Sequence, residues 1–270
     1  VAEPIATEPP PMALVTGASS GIGLELAREF VAHDHDVIVV AEDADIARVP
    51  AELASEGHGT VTPVQADLAT RQGVDQLLER VRGIGVPIGA AAINAGVGVS
   101  GAFVETDLES HLGLIRLNVS GAVQLAHGLL HDMVTQGGGA VLFTSSIAAT
   151  MPGPYASTYN ASKAFLLSFA EALRVELADA GVTVTALMPG PTETEFFARA
   201  GMEDTKLGQT KKDDPRDVAH DGYEALMRGD DHVVAGSFKN RAQAVAGKFM
   251  PYEQTAKIHG AMSKPGSGDD

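Results

Sequence analysis

The chain contains no cysteine. Disulfides, cysteine nucleophiles and thiolate metal sites are therefore excluded, while the redox state of the compartment stays open. It also lacks any run of the eighteen or so apolar residues that a membrane span needs. Basic residues are scarce: 19 Lys and Arg stand against 35 Asp and Glu, a formal net charge of −16. Such a surface repels phosphate backbones and anionic lipid, so neither a nucleic-acid nor a membrane partner is expected. The opening residues VAEPIATEPPP have no basic stretch and no apolar core. They do not read as a secretory signal, and a cytoplasmic location is expected. Their prolines predict an extended arm over 1–11. No internal repeat or low-complexity linker breaks the chain before its tail.

What is present is a globular composition, 44% apolar and 20% charged. Short apolar runs alternate with helical patterns. Met12–Val15, Val37–Ala41, Val61–Ala66, Gly89–Ile93, Val141–Thr144, Val182–Met188 and His232–Ala235 read as strands. Helices are expected between them, the last from Asp214-Pro215 to Gly229. That alternation implies an α/β fold with a mostly parallel sheet covered on both faces. One domain is expected over 12–235. A C-terminal extension follows over 236–270, partly helical and disordered from about 263.

In such a sheet ligands bind beyond the carboxyl ends of the strands. The polar motifs of this sequence gather there. Thr16-Gly17-Ala18-Ser19-Ser20-Gly21-Ile22-Gly23 lies between the first strand and a helix. Glycines there permit a tight turn and close approach of a pyrophosphate to the helix N-terminus. Glu42 and Asp43 end the second strand, where a carboxylate accepts hydrogen bonds from ribose hydroxyls and repels a 2′-phosphate. Asp67-Leu68, Asn94-Ala95-Gly96 and Pro189-Gly190 to Thr194 end the third, fourth and sixth strands.

The fifth strand leads into Ser145-Ser146, a loop, and then Tyr159-Asn160-Ala161-Ser162-Lys163. Residues four apart on a helix share a face, so Tyr159 and Lys163 project into one space. A tyrosine pKa lies near 10, and a nearby ammonium favours the phenolate. A lowered Tyr159 pKa and a general acid/base role are expected.

Together these residues resemble the short-chain dehydrogenases/reductases. Thr16 to Gly23 matches TGxxxGIG, Asn94-Ala95-Gly96 matches NAG, and Pro189-Gly190 with Thr194 matches PGxxxT. Asn118, Ser146, Tyr159 and Lys163 match the catalytic tetrad, with the usual thirteen-residue step from Ser146 to Tyr159. The resemblance covers roughly 12–235. It implies a Rossmann-like doubly wound seven-stranded parallel sheet, ordered 3-2-1-4-5-6-7 with helices on both faces, in a homodimer or homotetramer. It implies an oxidoreductase that transfers hydride between a nicotinamide cofactor and a carbonyl/secondary alcohol substrate. Tyr159 would be the acid/base, and Lys163 would hold the nicotinamide ribose. Ser146, rather than its neighbour Ser145, would polarise the carbonyl. Asn118 would position a relay water. Gly17, Ser19, Ser20, Gly21, Ile22, Gly23, Glu42, Asp67, Leu68, Asn94, Ala95, Gly96, Pro189, Gly190, Thr192 and Thr194 would line the cofactor together with Tyr159 and Lys163.

The sequence departs from the family at the end of the second strand. NAD-type members usually carry Asp where Ala41 stands, and NADP-type members Arg where Glu42 stands. On charge, NAD(H) is expected over NADP(H). Val97, Met151, Tyr155, Phe196 and Phe197 are expected to line an apolar substrate pocket suited to a lipophilic ketone or alcohol. Residues 198–212 read as a mobile lid. No metal is expected: His127 and His131 have metal-like spacing but no third ligand. The runner-up reading is a dinucleotide-binding sensor whose catalysis is vestigial.

Overall fold

The computed structural model describes residues 12–237, 240 and 250–269. The expected arm at 1–11 lies outside the described residues.

Successive residues of the first strand, β1 (Met12–Thr16), serve opposite cores. Leu14 joins one apolar cluster, and Ala13 and Val15 join the other. The same alternation runs through β2 (Val37–Ala41), where Ile38 and Val40 oppose Val37 and Val39. A strand buried on both faces needs an unbroken apolar run, which is what these sequences supply. The sheet has seven strands in the order β3-β2-β1-β4-β5-β6-β7, every neighbouring pair parallel. The remaining strands are β3 (Val61–Gln65), β4 (Ile88–Ile93), β5 (Gly139–Thr144), β6 (Val182–Met188) and β7 (His232–Val234). The expected architecture and strand order are both found.

Helix α1 (Gly21–Ala32) packs on one face of the sheet, where Leu26 and Phe30 are fully buried. Burying each such side chain contributes about 1.5–3 kcal/mol. A short helix α2 (Val49–Leu53) follows β2, and α3 (Arg71–Ile84) follows β3. After β4 come α4 (Leu108–Ile115), a π-helical turn (Arg116–Gly121) and α5 (Ala122–Gln136). The catalytic-motif helix is α6 (Ser157–Leu177). Helices α3, α5 and α6 cover the face opposite α1. Gly128 of α5 lets α3 approach, since a Cβ there would press on Leu78 Cδ1.

Beyond β6 the expected lid contains two short helices, α7 (Phe196–Arg199) and α8 (Lys206–Gln209). Then α9 (Pro215–Arg228) returns to pack beside α1. It begins as the sequence indicates, with the Asp214 carboxylate accepting from Arg216 N–H and Pro215 in the first turn. It ends on Gly229, at φ +70°.

The extension contributes α10 (Tyr252–Ser263) and a final turn over Ser267–Asp269. The stretch from about 263, expected to be disordered, makes defined contacts with the segment after α7. Lys206 N–H donates to Ser267 Oγ at 3.0 Å. Gly266 N–H reaches the Asp204 carboxylate at 2.8 Å, and Gly268 N–H reaches its carbonyl at 2.8 Å. A glycine- and serine-rich composition suggests a free end. Here those glycines instead bring bare backbone donors onto one acceptor residue.

Candidate active site

The strand order reverses between β1 and β4, and the crevice opens at that switch point. Thr16 ties its walls together. Its Oγ1 accepts from the N–H groups of Asn94 (2.9 Å) and Ala95 (3.0 Å). The Asn94 amide returns a hydrogen bond to Thr16 O at 3.1 Å and accepts one from Thr144 Oγ1 at 2.9 Å. The ends of β1, β4 and β5 are thereby held as one rim.

The glycine turn forms a bare-backbone cradle. Gly17 and Gly21 sit at φ +65° and +57°, where a side chain is strained. A Cβ on Gly17 would also lie 2.9 Å from Ala95 Cα, and one on Gly21 2.9 Å from Thr194 Cγ2. Ser20 caps α1 by backbone position only, with no side-chain hydrogen bond and no acidic residue in the first turn. The first N–H groups of α1 are thus left for an anionic ligand. These features fit a dinucleotide pyrophosphate.

One cavity of about 280 Å³ runs from this cradle to the tyrosine–lysine helix. Gly17, Ser19, Ser20, Gly21, Ile22, Gly23, Glu42, Leu68, Asn94, Ala95, Gly96, Pro189, Gly190, Thr192 and Thr194 all line it. So do Ser146, Tyr159, Lys163, Val97, Met151, Phe196 and Phe197. Residues expected at separate strand ends therefore share one space.

Two of the expected lining residues do not. The Asp67 side chain turns back to accept from Ala69 N–H at 2.9 Å, leaving Ala66 and Leu68 at the wall. Tyr155 adopts φ +65°, its carbonyl accepts from Gly101 N–H at 2.9 Å, and its surface faces Pro154 and Glu253 outside the cavity.

Asn118 sits behind the wall, fully buried in the π-helical turn. Its Oδ1 accepts from Val97 N–H, and its Nδ2 donates to Val97 O, each at 2.9 Å. Nδ2 also reaches Ser162 Oγ on α6 at 3.2 Å. This residue pins the loop after β4 to the tyrosine–lysine helix.

The two serines separate clearly. Ser145 Oγ donates to the Lys163 carbonyl at 2.8 Å and so serves the α6 backbone. Ser146 Oγ lies on the cavity beside Tyr159, accepts from Ala148 N–H at 3.1 Å and donates to Pro189 O at 3.3 Å. The Tyr159 ring packs on Phe196, with centroids 5.1 Å apart. Lys163 Nζ donates to Thr144 O at 2.8 Å and stands 5.7 Å from the Tyr159 ring centroid.

The expected lowering of the Tyr159 pKa is not what these surroundings give. Burial pushes it up to about 12, and the Ser146 hydrogen bond only partly opposes that. Burial also pushes Lys163 down to about 8. Spacing put the two groups on one face, but it carries no information on desolvation, which disfavours both charged forms.

Several wall residues carry no sequence motif. Asp43 joins Glu42 on the wall beyond β2, with its Oδ2 accepting from Ser19 Oγ at 2.8 Å. Met202, Leu207, Ile258, His259 and Met262 close the substrate end. The last three come from α10, far from the motifs in sequence. Their helical spacing was the available signal, but it did not say where the helix docks.

The short chain dehydrogenase family matches residues 11–204. An uncharacterized oxidoreductase of Staphylococcus saprophyticus is 30% identical over 80% of this chain and 91% of its own length. A short-chain dehydrogenase from Sphingobium yanoikuyae, solved with NADPH, superposes with a TM-score of 0.79 at 30% identity. That match covers 88% of this chain and 92% of the other. A bulky-bulky ketone specific alcohol dehydrogenase from Comamonas testosteroni gives a TM-score of 0.75 at 25% identity, covering 93% and 99%. With motif order, strand order and these likenesses in agreement, the chain belongs to the short-chain dehydrogenase family.

Proposed function

We propose that this protein transfers hydride between a nicotinamide dinucleotide and a lipophilic ketone/secondary alcohol pair. The observation that carries the reading is the convergence of Ser146, Tyr159 and Lys163 on the cavity that begins at the glycine cradle. The dinucleotide supplies the hydride when bound. The chain's own residues place the substrate and manage its proton.

In the reduction direction negative charge builds on the carbonyl oxygen. Ser146 Oγ donates a hydrogen bond to that oxygen, and Tyr159 delivers the proton. A phenol held near 12 stays protonated at neutral pH, which suits it to act as an acid. Lys163 supplies positive charge beside the phenol and holds the nicotinamide ribose. Asn118 keeps the loop at Val97 and α6 in register, and the water it positions links Lys163 to solvent. Asp67 and Leu68 form the adenine end, where Asp67 acts through its turn rather than from the wall.

For the cofactor, NAD(H) is favoured over NADP(H), because Glu42 and Asp43 stand at the adenosine end with no basic residue from 35 to 60 except Arg48. The substrate end is walled by Val97, Met151, Phe196, Phe197, Met202 and Leu207. That surface supports a bulky apolar ketone. We place the enzyme in the cytoplasm as a homodimer or homotetramer; no helix among the described residues is long and apolar enough to cross a membrane. Following nicotinamide absorbance across bulky ketones and alcohols, with wild type and Tyr159→Phe, tests the assignment. Tight cofactor binding with no turnover of any member would overturn it in favour of a sensor.

A further inference from the structure

Three titratable side chains on the cavity wall are left idle by hydride transfer: Glu195 and Arg199, which form an exposed ion pair with each other, and His259. His259 lies on α10, is almost fully buried, and lines the cavity. One turn later, Ser263 is completely buried with its Oγ 3.1 Å from His259 Nδ1. Among the described residues the Ser263 hydroxyl has no other acceptor for its hydrogen. A buried hydroxyl donates where it can; with Nδ1 as its acceptor, the ring hydrogen resides on Nε2. Burial holds the imidazole neutral by lowering its pKa.

The neighbour of Nε2 is Asn160 Nδ2, at 3.5 Å. Both hydrogens of that amide are already committed, to Ala148 O and Met151 O at 3.1 Å each. Turning the amide over would set its oxygen against those two carbonyls. Among the described residues Nε2–H therefore meets only this amide, whose hydrogens are engaged elsewhere. A donor left without an acceptor is costly to bury, and a ligand oxygen relieves that cost.

Resting on the hydride-transfer reading, we propose that His259 Nε2–H donates a hydrogen bond to a second oxygen of the substrate. The enzyme then acts on apolar ketones and alcohols that carry an ether, ester or hydroxyl oxygen besides the reacting one. His259 is a specificity residue on α10, fixed in orientation by Ser263.

The test uses matched bulky ketones with and without that second oxygen, assayed on the full chain with wild type, His259→Asn and His259→Gln. Asn keeps a polar atom near Ser263 but falls short of the Nε2 position, while the Gln amide reaches it. Wild type is expected to favour the oxygenated ketone by about tenfold or more in kcat/KM, the worth of one satisfied buried donor. His259→Asn is expected to lose that preference, the ratio of the two kcat/KM values falling to about one, and His259→Gln to retain it. If wild type shows no preference, or if His259→Asn keeps it or lowers both ketones equally, the residue is only a helix latch and the inference is overturned. Turnover of neither ketone by wild type would overturn the hydride-transfer reading, and this inference with it.

Discussion

Ser19 Oγ donates to Asp43 Oδ2 at 2.8 Å, joining the glycine turn to the end of β2. The bond fixes a carboxylate beside the place proposed for the adenosine ribose. A second Asp43 oxygen accepts from Asp45 N–H at 3.1 Å, so the carboxylate cannot swing away freely. A 2′-phosphate brought there meets like charge, which costs several kcal/mol at a close contact. NAD(H) is therefore expected to bind at least about tenfold tighter than NADP(H). Asp43→Ala is expected to shrink that ratio. Calorimetric titration of both cofactors into each protein decides it. Preferred NADP(H) binding by wild type would sink the charge argument.

Tyr159→Phe removes one oxygen and keeps the ring against Phe196. Loss of a positioned acid costs about 10²–10⁴-fold in kcat. The expected result is that loss with cofactor affinity and Tm little changed. Steady-state rates and thermal melting check both halves. Near wild-type turnover would assign the proton to another group.

Much of this was legible because sheet and motifs share one physical rule: parallel strands need continuous apolar runs, and their carboxyl ends carry the ligands. Val37–Ala41 and the turn from Gly17 to Gly23 announce themselves locally. Burial of Tyr159 and Lys163 does not, since it depends on helices packed from elsewhere. Asp43 was harder still. Glu42 and Asp43 are adjacent acids, and only the twist of the chain after β2 decides which one Ser19 holds. His259 was out of reach because α10 carries only a weak amphipathic pattern, and its docking site is set by long-range packing. The tail misled for a local reason: Gly266 and Gly268 look like chain freedom, yet they serve as donors to Asp204.

Lys163 makes stability depend on pH. Its folded pKa is about 8, against about 10.4 in an unfolded chain. Between those values the unfolded state binds more protons, so native stability rises with pH through that window. Lys163→Met lacks this dependence. The stability of wild type minus that of Lys163→Met is expected to rise from about pH 8 to about pH 10. Tyr159, raised to about 12, has the opposite sign above about pH 10, but both proteins share it. Denaturant unfolding at several pH values gives the difference. A flat difference would mean that Lys163 is not held below its ordinary pKa.

The tail and the lid should behave as one unit. Ser267 receives the Lys206 N–H, and Asp204 receives those of Gly266 and Gly268. Those bonds hold Asp204 and the first residue of α8, flanked by Met202 and Leu207 of the cavity wall. The cradle at Gly17 to Gly23 touches none of them. Deleting residues 264–270 is therefore expected to raise KM for a bulky ketone by about threefold to tenfold, the loss of roughly one net hydrogen bond. Cofactor affinity should stay the same, and proteolysis should speed up selectively within 199–212, where local opening becomes easier. Steady-state kinetics, cofactor titration and mapped limited proteolysis read the three effects separately. Unchanged KM with unchanged cleavage would show that the lid is held by its own contacts, such as Lys212 Nζ to Gly208 O and its stacking on Phe197. A parallel loss of cofactor affinity would instead place the tail in support of the whole crevice.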